Sequence, residues 1–129
     1  MRLQKAADRP AFPALSEEDW ERQTAALYRH EKDRLVPDHD PNLLKALQSI
    51  DLSQPLPESW RQFEAPTRVP VLAIRGANST LFSAETLDEM ARRHPDLKAV
   101  TIEGQGHPPL LETADLPKTI ASFLARAER

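Results

Sequence analysis

Between Val69 and Arg75 the chain runs Val-Pro-Val-Leu-Ala-Ile-Arg, a nearly unbroken apolar stretch without alternation. Six or seven such residues are too few for a helix that must bury all its faces, but they suit a strand covered on both sides, as in parallel sheets. Parallel strands cannot be joined by a tight turn, so a crossover element must come next. One does: after the loop Gly76-Ala-Asn-Ser-Thr80, the segment from about Ser83 to Arg93 places Leu87, Met90 and Ala91 on one helical face, with Ser83 able to cap its start. Lys98-Ala-Val-Thr-Ile-Glu103 reads as a second strand, nearer a sheet edge, with Val100 and Ile102 pointing one way. A last helix from about Asp115 to Ala127 carries Leu116, Ile120, Phe123, Leu124 and Ala127 along one stripe. The strand, helix, strand, helix order predicts an α/β fold with two parallel strands and a right-handed crossover.

The first half is organised differently. Ser16-Glu-Glu-Asp19 has a capping side chain and acids in a first turn, with Trp20, Ala25, Leu27 and Tyr28 as apolar contacts behind it. Asp40-Pro41 opens a second short helix with Leu43, Leu44 and Leu47 at helical spacing, and Pro57-Glu-Ser-Trp60-Arg-Gln-Phe63 a third. Each is too short to be stable alone and must pack on something. The expected division is therefore a helical segment over residues 1–65 and a βαβα part over residues 66–129.

Composition removes several functions. A net charge of -3 with interleaved signs provides no polybasic stripe for phosphate backbones or anionic lipid, so neither nucleic acid nor membrane is expected as a partner. With no cysteine there is no disulfide, thiolate catalyst or cysteine metal site. The first ten residues are charged where a signal peptide needs an apolar core, and no run approaches membrane-spanning length, so a cytoplasmic protein is expected. His30, His39 and His94 lack metal-ligand spacing, and His94, before Pro95, reads as a helix end.

Chemistry concentrates after the second strand, in Gly104-Gln-Gly-His107-Pro-Pro. Reactive side chains in open α/β sheets sit past strand ends. Gly104 and Gly106 would let this loop turn tightly, and Pro108 and Pro109 stiffen the backbone just beyond the histidine. The competing account is a loop histidine that only bonds backbone. The ordered elements, the Gly76–Thr80 loop and the Gly-x-Gly-His107 loop together resemble the C-terminal third of α/β-hydrolase-fold enzymes, and Asp40-Pro41 and Leu56-Pro-Glu-Ser-Trp-x-x-Phe63 extend the resemblance more weakly upstream. It implies a partial α/β-hydrolase fold, with short cap-like helices ahead of the last two strands, and a serine-type hydrolase of esters or related acyl bonds of small molecules.

In that family the nucleophile sits on a G-x-S-x-G elbow. No serine here is flanked by glycines in that way. The acid belongs in an R-G-x-x-S-D type loop, where this chain has Thr80; Asn78, Ser79 and Thr80 thus form a degenerate acid loop, or ordinary turn chemistry leading into the Ser83 helix. Some members carry the acid one strand earlier, which here would lie before Met1. Glu103, at a strand end, and Asp88, on a solvated helix face, are weaker stand-ins. The resemblance assigns His107 as general base and acid and implies no cofactor. Trp20, Tyr28, Trp60 and Phe63 would be core or, by resemblance, cap residues lining a pocket. Taken alone the chain is expected to be inactive, acting on a small-molecule substrate only when completed by a missing N-terminal part. The free strand edge could also self-associate. The alternatives are a non-catalytic binding module that kept the fold, or a truncated gene product.

Overall fold

The computed structural model describes residues 9–40, 42–47, 58–66 and 68–127. Pro41, Leu56 and Pro57 lie outside the described residues, as do the side chains of Leu44 and Leu47. The described residues fall into two compact units, one drawn from residues 16–58 and one from residues 9–15 and 59–127.

In the first unit, helix α1 spans Glu17–Leu27. Its start is a reciprocal cap: Asp19 N donates to Ser16 Oγ at 3.2 Å while Ser16 N donates to Asp19 Oδ2 at 2.9 Å, satisfying two donors that a helix start leaves unpaired. Bonds from the Ser16 hydroxyl and the Ser16 N–H, then from Arg22, hold the Asp19 carboxyl below its ordinary value. Trp20 is buried, but the helix ends at Leu27, which is half exposed, and Tyr28 opens a strand instead of continuing the apolar stripe. That strand, β1 (Tyr28–Glu31), pairs antiparallel with β2 (Arg34–Pro37). The hairpin corrects the expectation of helices alone. Its two-residue turn uses Lys32 at φ 55°, where glycine or asparagine is the usual signal, so nothing in the composition announces it. Helix α2 (Asn42–Leu47) starts where Asp40 accepts from Asn42 N at 2.8 Å, and Leu43 is exposed.

The second unit contains α3 (Trp60–Glu64), β3 (Val71–Gly76), α4 (Ala84–Arg93), β4 (Leu97–Ile102) and α5 (Leu116–Ala127). Strands β3 and β4 are parallel, in register from Val71 opposite Leu97 to Gly76 opposite Ile102. Helix α4 packs on both. It starts on Ser83, whose Oγ accepts from Thr86 N at 3.1 Å, and ends on His94, as its sequence signals require. Leu87, Ala73, Ile102, Leu116 and Phe12 form the buried apolar core; Leu124, assigned to the α5 core stripe, is 53% exposed. The fold is α/β with a two-stranded parallel pair.

His94 is only 1% exposed. Asp96 N donates to its Nδ1 at 3.3 Å and its Nε2 lies 3.3 Å from Pro66 O, which assigns the ring proton to Nε2. The ring packs against Phe63, itself edge-on to Trp60, and Arg93 lies over the Trp60 ring while bonding Glu64 and Glu89. These contacts fasten α3 to the end of α4. Among the described residues no helix is long and apolar enough to cross a membrane.

Candidate functional site

Both strands of the parallel pair end in loops that turn toward each other. At the last paired position Gly76 lies against the Gln105–Gly106 backbone, so close that a Cβ there would fall inside van der Waals contact of the Gln105 and Gly106 carbonyl oxygens. The ladder continues one step past the strands, Ala77 N donating to Ile102 O at 2.8 Å, and beyond it the loops are bonded to each other, Asn78 N to Gln105 O at 2.9 Å. The loop carrying Asn78, Ser79 and Thr80 and the loop carrying His107 are thus joined backbone to backbone. Only a residue without a side chain at 76 permits this approach.

Arg75 shapes the first loop from within. Nine-tenths buried at the end of β3, it donates from Nε to Phe82 O at 2.7 Å and from Nη2 to Ala77 O at 3.0 Å, gripping both ends of the loop. A buried cation is costly unless its donors are bonded, and here two of them are given to backbone carbonyls. Nearby Glu85, in the first turn of α4, is held below its ordinary carboxyl value chiefly by its own N–H, then by the Ser83 hydroxyl, with a smaller attraction from Arg75.

Ser79 is occupied by the turn: its Oγ accepts from Phe82 N at 2.9 Å and Leu81 N at 3.3 Å. Asn78 Nδ2 donates to Ala11 O at 3.1 Å, reaching the segment of residues 9–15, which includes the 3-10 turn Arg9–Ala11. That segment straps across both loops: Ala14 N donates to Gly104 O at 3.0 Å, and the Phe12 ring and Ala11 Cβ occupy the space that a Gly106 side chain would need. Thr80 is exposed, and so are Glu103 and Asp88. His107 is exposed after Gly106, and among the described residues no side chain bonds its ring. The two loops singled out in the sequence are brought together, while the side chains of Asn78, Ser79 and Thr80 are not brought onto His107 by any hydrogen bond.

Gln105, between the two glycines, is 1% exposed. Its Oε1 accepts from Leu110 N at 2.8 Å and its Nε2 donates to Thr113 Oγ1 at 2.6 Å; the Thr113 hydroxyl donates in turn to Leu110 O at 2.8 Å. Sequence reading missed Arg75, Gln105 and the 9–15 strap. Arg75 was visible as a lone cation ending an apolar run, and Gln105 as a bulky amide between glycines; the strap has no local signal, because Ala11 and Asn78 are 67 residues apart. Among the described residues no three histidine, aspartate or glutamate side chains are grouped to hold a metal ion.

No protein-family model matches the chain. Over 97% of its length it superposes on an α/β hydrolase from Novosphingobium aromaticivorans with a TM-score of 0.83 and 25% identity, spanning 44% of that chain. A stretch of 50 residues, 39% of the chain, is 44% identical to the 3-hydroxybutyrate-oligomer hydrolase of Cupriavidus necator and spans 17% of that protein. The chain therefore spans less than half the length of either relative.

Proposed function

From a chain with a partial α/β-hydrolase fold, we propose that it is the C-terminal portion of a serine-type hydrolase of ester or related acyl bonds, in which His107 carries the proton. The observation that carries this reading is the joining of the two strand-end loops through Asn78 N and Gln105 O, with His107 exposed two residues beyond. In the proposed reaction a serine hydroxyl from the remainder of the fold loses its proton to the imidazole and attacks the acyl carbon. The imidazolium then returns the proton to the departing alcohol oxygen, and a water repeats the sequence to release the acid. This chain contributes the histidine and its frame; the nucleophile and much of the pocket belong elsewhere, so alone it turns over no ester. The similarity to an oligomer hydrolase of 3-hydroxybutyrate supports short hydroxyacyl esters as the first substrates to try.

A second reading is a non-catalytic module that kept the fold. It is favoured by one observation: Asn78 and Ser79 are committed to the strap and the turn, and exposed Thr80 supplies no carboxylate. The discriminating experiment isolates the protein from its own cells through a tag at its chromosomal locus, with whatever completes it still attached, and assays p-nitrophenyl esters and 3-hydroxybutyrate dimers. Hydrolysis that disappears in His107→Ala supports the first reading. Absence of hydrolysis, or hydrolysis indifferent to His107→Ala, supports the second.

A further inference from the structure

We propose that Gln105 is the positioning residue that aims His107. The inference rests on the reading of His107 as proton carrier for its purpose, but not for its geometry. His107 has no side-chain partner of its own among the described residues, and its neighbour Gly106 offers none, so the direction of the ring is set by the path of the loop between residues 105 and 113. That path closes on one side chain. Gln105 Oε1 holds the Leu110 N–H, its Nε2 holds the Thr113 hydroxyl, and the Thr113 hydroxyl holds Leu110 O, making a closed set of three bonds around residues 106–109.

The same residue fixes the loop on its other side, since its carbonyl accepts from Asn78 N. Gln105 therefore joins the exit of β4, the loop after β3 and the entry to α5. That entry needs holding: Ala114 and Asp115, directly after Thr113, are both at positive φ, 53° and 59°, a conformation that residues with a side chain adopt only when their surroundings impose it. A glutamine buried to this degree with both ends of its amide bonded is satisfied, so its removal leaves the Leu110 N–H without its partner. A side chain that only filled space would be replaceable by leucine at no cost to the loop.

The test uses the full chain labelled with nitrogen-15 and with carbon-13 in the histidine rings. In Gln105→Leu, the Leu110 and Asn78 amides should exchange about 10- to 100-fold faster while the β3–β4 ladder keeps its protection, and the His107 ring cross-peaks should shift or broaden. The His94 ring, bonded to Pro66 and Asp96, should not move. Thr113→Val, which breaks the outer bond and keeps the volume, should produce the same His107 change and serves if the leucine variant fails to fold. Unchanged His107 peaks in either folded variant, or exchange accelerated equally throughout both strands, overturns the proposal. In the native assembly, both variants should lower kcat about tenfold or more with KM nearly constant, as expected when a proton carrier is misaligned. If the ring peaks move while His107→Ala leaves hydrolysis intact, positioning stands and the hydrolase reading falls.

Discussion

Replacing Gly76 with alanine tests how the two loops are joined. The added methyl would overlap the carbonyl oxygens of Gln105 and Gly106 and stand 2.8 Å from the Gln105 carbonyl carbon. All three are backbone atoms, so no rotamer change relieves the overlap and the loops must part. Parting breaks Asn78 N to Gln105 O and strains Ala77 N to Ile102 O, each worth about 0.5–1.5 kcal/mol net. Overpacking adds about 1–3 kcal/mol, and the lower entropy of an unfolded alanine returns about 0.4–1 kcal/mol. The net loss is about 1–5 kcal/mol, a large share of a typical domain's stability at its upper end. Urea unfolding monitored by circular dichroism should show a midpoint lowered by about 0.5–3 M. Gly104→Ala is the control: its φ of 69° costs about 1–2 kcal/mol, but the nearest atom to the new methyl is the Ala14 side chain, which can shift with its segment. A Gly76→Ala midpoint within error of the parent, or above that of Gly104→Ala, would refute the close backbone approach.

The same contacts and caps set three further outcomes. His94→Ala should cost about 2–4 kcal/mol by thermal melting, since it empties a buried ring site against Phe63 and strands the Asp96 N–H, while Pro66 O keeps its bond from Val69 N. Ser16→Ala should cost α1 about 0.5–2 kcal/mol. Because the Asp19 carboxyl is held low in the folded state, its contribution is complete above its unfolded value of 3.8 and fades as pH falls through the lower folded value; helicity should therefore drop more steeply on acidification in the parent than in Asp19→Asn. Thr80→Asp in the native assembly should raise ester hydrolysis about 100-fold or more by giving His107 a carboxylate, and an unchanged rate assigns the acid to another strand.

Local chemistry was the legible part of this chain. Ser16 and Ser83 announced their helices because a hydroxyl bonding the N–H three residues on is a short-range event. The apolar run of β3 and the one-sided pattern of Val100 and Ile102 in β4 announced strands because the one suits cover on both faces and the other cover on one. The β1–β2 hairpin escaped because Tyr-Arg-His-Glu and Arg-Leu-Val-Pro neither alternate nor flank a glycine turn. At the site, the Gly-x-Gly-His107 loop could be read as a strand-end loop from glycines and position. What fixes that loop could not: the grip of Arg75 on Phe82 O, the Gln105–Thr113 bond and the Asn78–Ala11 bond join residues 7, 8 and 67 positions apart whose identities do not imply each other.

The strap formed by residues 9–15 has a consequence for how the site assembles. Its bonds to Gly104 O and Asn78 tie residues 9–15 to loops beyond β3 and β4 with about forty residues, 16–58, intervening, and closing a flexible loop of that length costs about 3 kcal/mol of chain entropy beyond a constant. Two hydrogen bonds and the packing of Phe12 on Gly106 offset that only narrowly. The strap therefore depends on its own packing, and a lesion within it such as Phe12→Ala, far along the sequence from His107, should loosen it across the histidine loop.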